Sequence, residues 1–335
     1  MLSLNYSKAF GKMKFLLVSV LVLFATALPA IDAAAQPYPN KPIRLIVPFT
    51  PGGTTDILGR MVGQKLSEAV GVQVVIDNRP GAGASIGTDL AAKSAPDGYT
   101  LLMGPSGALA VNPWLYAKLP YDPIRDFAPI TLLAMVPSIL VVHPSLPVKS
   151  VKELIDFAKA HPGKLNYGSS GAGGQPFLAV EYLKLMAGLN IVEIRYKGGG
   201  PLTTDLIAGQ ISLTITGIPT LLPHVKSGRL RALAVSSAKR SAALPDLPTI
   251  SEAGLPGYDA TAWYGVLAPA GTPKEIIAKL NAELNKLIKK PDFAERLAAD
   301  GAETVGGTPE EFAAFIKAET ARWGKVIKAA GVKVQ

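Results

Sequence analysis

From Lys41 onward the chain alternates short β-branched runs with amphipathic stretches, and a glycine or proline marks almost every change. Ile43 to Phe49 reads as a strand. Thr54 to Val70 reads as a helix, with Leu58, Met61, Val62, Leu66 and Ala69 on one face and Gly71 at its end. Val72 to Ile76 is the next strand, and a short helix over Ser85 to Lys93 leads through Pro96-Asp97-Gly98 to a strand over Tyr99 to Met103. This βαβαβ rhythm predicts an open, largely parallel sheet. A second round starts with a strand at Ile139 to Val142 and a helix from Ser150, where Glu153 completes a capping box. Strands follow at Leu165 to Tyr167, Ile191 to Tyr196, Ile211 to Thr216, Leu230 to Val235 and Trp263 to Leu267. Thr272-Pro273 with Glu275, and Thr308-Pro309 with Glu311, announce two late helices. The expectation is an α/β protein of two lobes, crossed twice by the chain near Met135 to Leu140 and within Val235 to Ala262. Residues 36–137 plus 238–335 form the expected lobe 1, and 138–237 the expected lobe 2.

The N-terminus speaks to compartment. Lys8, Lys12 and Lys14 precede an uncharged apolar run, Phe15 to Leu28, that is shorter than the roughly 20 residues of a membrane span. Ala33-Ala34-Ala35 then offers a small-residue cleavage site, so residues 1–35 read as a signal peptide and Gln36 as the mature start in the periplasm. The chain has no cysteine, which excludes thiol nucleophiles, thiolate metal sites, disulfides and a lipidated N-terminal Cys. The formal charge of +9 stays positive without the leader and attracts anions. The Lys and Arg residues are scattered rather than blocked, so nucleic acid is not the expected partner.

Four glycine- or hydroxyl-rich loops follow strands, where open α/β sheets bind ligands. The first, Phe49-Thr50-Pro51-Gly52-Gly53-Thr54-Thr55-Asp56, runs into a helix whose first amides and dipole suit a carboxylate or phosphate. The second contains Ser106 and Gly107. The third, with Ser169, Ser170, Gly171, Gly173, Gly174 and Gln175, reads as an anion nest. The fourth combines Gly198 and Gly199 with Thr216 and Gly217 one strand later. Phe49, Pro51, Gly52, Gly53, Thr54 and Asp56 complete the set of candidate ligand-binding residues. In the first loop Gly52, Gly53 and Thr54 are expected to anchor a carboxylate common to all ligands, while Ser106, Gln175, Thr216 and Gly217 read its distal end.

Enzyme patterns fail in turn. There is no GxxxxGK[ST] run, and Gly81-Ala82-Gly83 with Gly87 is one residue too long for the dinucleotide fingerprint. Gly168-Ser169-Ser170-Gly171-Ala172 lacks the last glycine of a hydrolase elbow. His143, His161 and His224 each adjoin a proline, and no HExxH or His-carboxylate cluster suggests a catalytic metal. Neither cofactor, metal nor catalytic residue is expected.

At these loops the chain resembles the Bug-type extracytoplasmic solute receptors, the binding subunits of tripartite tricarboxylate transporters. The likeness runs through YPNKPIRLIVPFTPGGTTD, VIDNRPGAGASIGTDLAAKSAPDGYTLL, NPWLYAKLPYDPIRDFAPI, RYKGGGP and WYGVLAPAGTP. It implies a periplasmic binding protein-like fold, two α/β lobes joined by crossover strands, with a small carboxylate held in the cleft by amides, hydroxyls and water. Phe49 to Asp56 match the family's anchoring segment. Two departures fall in the selectivity loops: GAGGQPFL stands where GxGSxxHL is common, placing Gly174 and Phe177 at usual Ser and His, and QISLTIT replaces QVDLMFD, placing Ser212 and Thr216 at usual aspartates. The second departure disfavours an amino-acid ligand. The expected function is capture of a di- or tricarboxylate or aromatic acid by a monomer that delivers it to the membrane subunits of a transporter. A receptor feeding a two-component kinase, or an enzyme on the same fold, is the alternative.

Overall fold

The computed structural model of the protein describes residues 38–299 and 301–330. The leader read over 1–35 lies outside the described residues. In chain order, β1 (Ile43–Val47) passes into α1 (Thr54–Val70), β2 (Val74–Asn78), α2 (Ser85–Ala92) and β3 (Thr100–Pro105). A π turn over Gly107–Val111 and the short α3 (Asn112–Leu115) lead to β4 (Phe127–Val136). Pro137 carries the chain into β5 (Ser138–Val142), followed by α4 (Val151–Ala160), β6 (Asn166–Ser169), α5 (Gln175–Ala187), β7 (Val192–Arg195), α6 (Gly199–Ile207), β8 (Leu213–Gly217), α7 (Ile218–Lys226) and β9 (Arg231–Val235). The return brings β10 (Ala262–Pro269), α8 (Lys274–Ile288), α9 (Pro291–Ala299), β11 (Glu303–Thr304) and α10 (Pro309–Ala330).

Two α/β lobes result, one on a six-stranded sheet ordered β11-β4-β10-β3-β1-β2, the other on a five-stranded sheet ordered β7-β6-β8-β5-β9. Parallel pairing between the named strands lies in the βαβ units, β2-β1-β3 and β7-β6-β8. The expectation of largely parallel sheets is thereby corrected. β10 runs antiparallel to both β3 and β4, and β5 antiparallel to both β8 and β9. A strand that takes the chain out of a lobe and one that brings it back must run in opposite directions when they lie side by side.

That side-by-side passage is stitched by two fully buried serines. The Ser138 amide donates to Ser236 Oγ at 3.0 Å and the Ser236 amide to the Ser138 carbonyl at 2.8 Å. Ser236 Oγ donates to the Ala260 carbonyl at 3.2 Å, and the Ala260 amide returns to the Ser236 carbonyl at 2.9 Å. Ile250, Leu255 and Tyr258 are buried in the core of the second sheet with Leu140 and Leu183, and Tyr258 donates its hydroxyl to the Ala179 carbonyl at 2.7 Å. Apolar burial of this kind packs the stretch from Ile250 to Ala260 against the second sheet.

The C-terminal α10 packs on the first sheet. Trp263 on β10 is fully buried and meets Phe312 edge-on, ring centroids 5.9 Å apart, and Phe315 at 5.3 Å. Its indole donates to Glu319 Oε2 at 3.0 Å, and Arg322 holds the other carboxylate oxygen at 3.0 Å while donating to the Asp259 carbonyl at 3.1 Å. Glu319→Ala removes the acceptor of a buried indole, and an unpaired buried donor costs about 1–3 kcal/mol. The urea midpoint of Glu319→Ala is expected to fall accordingly, with Glu319→Gln, which keeps a carbonyl acceptor for Trp263, falling less. Equal midpoints for Glu319→Ala and the parent would remove this contact from the account of how α10 is held.

Candidate functional site

The parallel strands of both lobes deliver their following loops to one place, where the lobes face each other. After β1, Gly53 is the N-cap of α1 and supplies no side-chain cap. The first amides of that helix, at Thr54 and Thr55, lack a carbonyl four residues back inside it, which leaves them for an anion. The loop itself is held by Asp56, only 3% exposed. Its carboxylate accepts from the Gly52 amide at 3.0 Å, from Arg60 Nε at 2.9 Å and from Asn78 Nδ2 at 2.9 Å. Burial pushes the Asp56 pKa up, but the hydrogen bonds from Arg60, Gly52 and Asn78 outweigh it and hold the carboxyl below its ordinary value. Both oxygens are engaged, by Gly52 in the loop, Arg60 on α1 and Asn78 on β2, and these bonds fix the course of the loop.

Between the lobes lies a cavity of about 30 Å³, space for a few water molecules. The first lobe lines it with Phe49, Gly53, Thr54, Thr55 and Tyr264, the second with Ser170, Gln175, Pro176, Gly199 and Thr216. No described lining residue is a carboxylate, imidazole, lysine or arginine. The cavity offers amides and hydroxyls. Burial pushes the Tyr264 phenol up to about 12, while bonds from Thr55 and Thr54 pull the other way, so at neutral pH it keeps its proton and can donate. Gln175 reaches the crossing: its Nε2 donates to the Ala260 carbonyl at 2.5 Å and to Ser138 Oγ at 3.2 Å.

Several of the expected glycines have another task. A β-carbon on Gly107 would collide with the Gly173 carbonyl, and one on Gly173 with Asn112 Oδ1. Gly217 gives the same close approach to Thr54 Oγ1, and Gly198 to Thr50 Oγ1, while Gly53 and Gly199 pack backbone on backbone. Gly173 also adopts φ +82, open mainly to glycine. These residues form a seam along which main chain meets main chain across the cleft. Thr54 Oγ1 and Thr220 Oγ1 hydrogen-bond across it at 2.9 Å. Two buried acceptors on the first lobe, Thr50 Oγ1 beside Gly198 and Asn112 Oδ1 beside Gly173, find no protein partner.

Of the residues singled out in sequence, the structure thus gathers Phe49, Gly53, Thr54, Ser170, Gln175, Gly199 and Thr216 at the cavity. Gly107, Gly173, Gly198 and Gly217 lie on the seam. Gly171, at φ +89, approaches Gly83 of the first lobe, and Gly174 packs against Ser170 Oγ. Pro51 sets its carbonyl against Gly200, and Gly52 opens on a neighbouring groove. Ser106 is buried at the π turn without lining the cavity. Ser169 turns away, donating to Glu193 Oε1 at 2.6 Å and accepting from the Gly171 amide at 3.1 Å. Phe177 is an anchor between lobes, buried with Ala172 and Leu178 against Leu115, Trp323 and Ile327. Thr55, Pro176 and Tyr264 were missed. The first two adjoin residues that were singled out, whereas Tyr264 sits on an apolar strand whose only signal was its lone hydroxyl.

A family model described as "Tripartite tricarboxylate transporter family receptor" matches residues 58–332. The chain is 41% identical over 321 residues to protein BugT of Bordetella pertussis, covering 96% of this chain and 98% of that one. Among solved structures, an R. palustris protein with adipate superposes with TM-score 0.86 at 42% identity, covering 88% of this chain and 99% of its own. MatC from Rhodopseudomonas palustris, with bound malate, superposes with TM-score 0.83 at 31% identity over 87% of this chain and all of that one, 100%.

The seam makes a prediction about closure. Gly107→Ala touches no group that lines the cavity, but its methyl drives against the Gly173 carbonyl. The variant is expected to fold and melt as the parent does, while solution scattering shows a larger radius of gyration and ligand affinity drops about tenfold, the effect of a shift of roughly 1.4 kcal/mol toward separated lobes. An unchanged scattering curve and unchanged affinity would remove the seam from the closing step.

Proposed function

The chain belongs to the tripartite tricarboxylate transporter receptor family, and on that premise we propose that it is a periplasmic receptor that closes its two lobes around a small carboxylate and delivers it to the membrane subunits of such a transporter. The observation that carries the choice of ligand is the cavity itself, polar yet without a fixed charge on its described lining. Neutral donors held in place by a folded backbone can meet a carboxylate without stripping the hydration of a cation or breaking its ion pair with a counter-charge. Adipate in one relative and malate in another support the same class. The anchor is assigned to Gly53 with the first amides of α1, and the reading of the adjoining part of the ligand to Thr216, Ser170, Gln175 and Tyr264.

The working parts follow from the fold. Lobe 1 is taken as residues 38–137 with 261–330 and lobe 2 as 138–260, hinged where Ser138 and Ser236 bind each other. A cavity with space for a few waters admits a dicarboxylate only when the seam parts, and a ligand that touches both lobes then favours closure by the contacts it gains from the second. Export with cleavage before Gln36, and action as a monomer, complete the proposal.

Thermal shift of the mature protein against mono-, di- and tricarboxylates, aromatic acids and their amides tests it. A ligand at 100 times its dissociation constant is expected to add about 2.7 kcal/mol. Tyr264→Phe, which gives up the bonds with Thr54 and Thr55, is expected to fold but melt somewhat below the parent when free, and to bind carboxylates roughly 3- to 10-fold more weakly, one hydrogen bond's worth. Stabilisation by amides with none by carboxylates would overturn the assignment of ligand class.

A further inference from the structure

One buried hydroxyl stands at the root of the loop that follows β6, next in sequence to a residue of the cavity wall. Ser169 is fully buried, and its main chain is placed by the parallel pairing of β6 with β7 and by the Tyr196 amide, which donates to its carbonyl at 2.8 Å. Its hydroxyl donates to Glu193 Oε1 at 2.6 Å, and its oxygen accepts from the Gly171 amide at 3.1 Å. Glu193 lies on β7, the outermost strand of the second sheet, and does not line the cavity. Its other oxygen accepts from Arg195 Nε at 2.8 Å.

A serine hydroxyl has one proton to give and two lone pairs to offer, and a carboxylate has no proton at all. Beside Glu193 the Ser169 proton therefore points to Oε1, and the lone pairs are left for the Gly171 amide. The direction of this rotor is set from β7. Without that acceptor the buried hydroxyl turns toward another carbonyl rather than stay unpaired, and its lone pairs leave the line of the Gly171 amide.

What this amide anchors bears on both lobes. Ser170 lines the cavity. A β-carbon on Gly83 of the first lobe would stand 1.5 Å from the Ala172 carbonyl oxygen, and Tyr116 Oη lies 3.5 Å from the same oxygen. Burial pushes the Tyr116 phenol up, and the charges of Arg195 and Glu193 act on it from the facing lobe. The Gly174 amide donates to the Gly171 carbonyl at 2.9 Å, closing the turn, and Gly174 is the N-cap of α5, whose first residue, Gln175, reaches the hinge. We propose that Glu193 is a positioning residue for ligand capture: through Ser169 it fixes the Gly171 amide, and with it the turn that carries Ser170 to the ligand and Ala172 to the first lobe. This rests on the receptor reading above. It makes the affinity of the cleft depend on a side chain outside the cleft.

Two measurements on the mature protein decide it: calorimetry with adipate and malate as probes, and amide hydrogen exchange at Gly171 in the ligand-free protein. Glu193→Leu and Ser169→Ala are each expected to weaken binding about tenfold and to speed exchange at Gly171 by a similar factor. The double variant is expected to lose no more than either single one, because both break the same relay. Glu193→Gln, which keeps a carbonyl oxygen for Ser169, is expected to stay within about threefold of the parent on both counts. A lower melting temperature for Glu193→Leu, with affinity and Gly171 exchange as in the parent, would make the residue merely structural and overturn the proposal. An additive double variant overturns it too. So does a Glu193→Gln variant that loses as much as Glu193→Leu, since the effect then belongs to the charge felt by Tyr116. A parent that binds neither acid overturns the carboxylate reading, and Gly171 exchange, which needs no ligand, still decides whether Glu193 holds the loop.

Discussion

The two passages between the lobes lie against each other, and the rest of the architecture depends on that contact. Ser138 and Ser236 exchange main-chain and side-chain hydrogen bonds at the point of crossing, fully buried. Bonds of this kind tolerate rotation about a line through them far better than translation across it. Loops at the far ends of β1, β3, β6 and β8 can then approach and part while the cores behind them stay intact. Gln175 links this line to the cavity, since the same amide that borders the cleft donates to Ser138 and Ala260. One side chain thus belongs both to the cavity wall and to the crossing.

The distribution of charge follows a division between binding and attraction. In the cavity, fixed amides and hydroxyls avoid the desolvation that a buried Lys or Arg would demand before any ligand arrived. Outside the cavity, Arg229 is exposed to water, where a charge costs little to maintain. Asp56 belongs to the same logic. Its negative charge lies one turn from the cavity wall, but three hydrogen bonds turn it inward, where it fixes the positions of Gly52 and the helix start.

Much of the fold was legible because the hydrophobic period and the glycines agreed along the chain. β1, α1, β3, α4 and the strands of the second sheet were all readable from residues such as Val47, Leu58 and Ile215, whose spacing reports burial. β4 escaped. Its sequence FAPITLLAMV carries a proline near the start and lies next to the crossing, where the single Pro137 separates it from β5. The late return was equally hidden, since Ile250, Leu255 and Tyr258 sit in a stretch rich in Pro and Gly that reads as loop, and only their burial against Leu183 reveals their lobe. At the site, sequence located the loops but assigned their glycines one purpose. Whether a glycine exposes an amide, as at Gly53, or makes room for a facing carbonyl, as at Gly107, is a property of the opposite lobe, which no local pattern contains.

The glycine seam has a consequence for how this protein tolerates mutation. Apart from Gly173, whose φ of +82 strains any other residue, its glycines meet chiefly the facing lobe, so a methyl added there leaves both halves able to fold. Expression, solubility and melting temperature are blind to such a change, because all three report the cores. Selection that acts on those traits lets the seam drift freely, and only selection on uptake itself keeps it bare. A gene copy released from its transport duty would therefore decay first as a receptor and only much later as a folded protein.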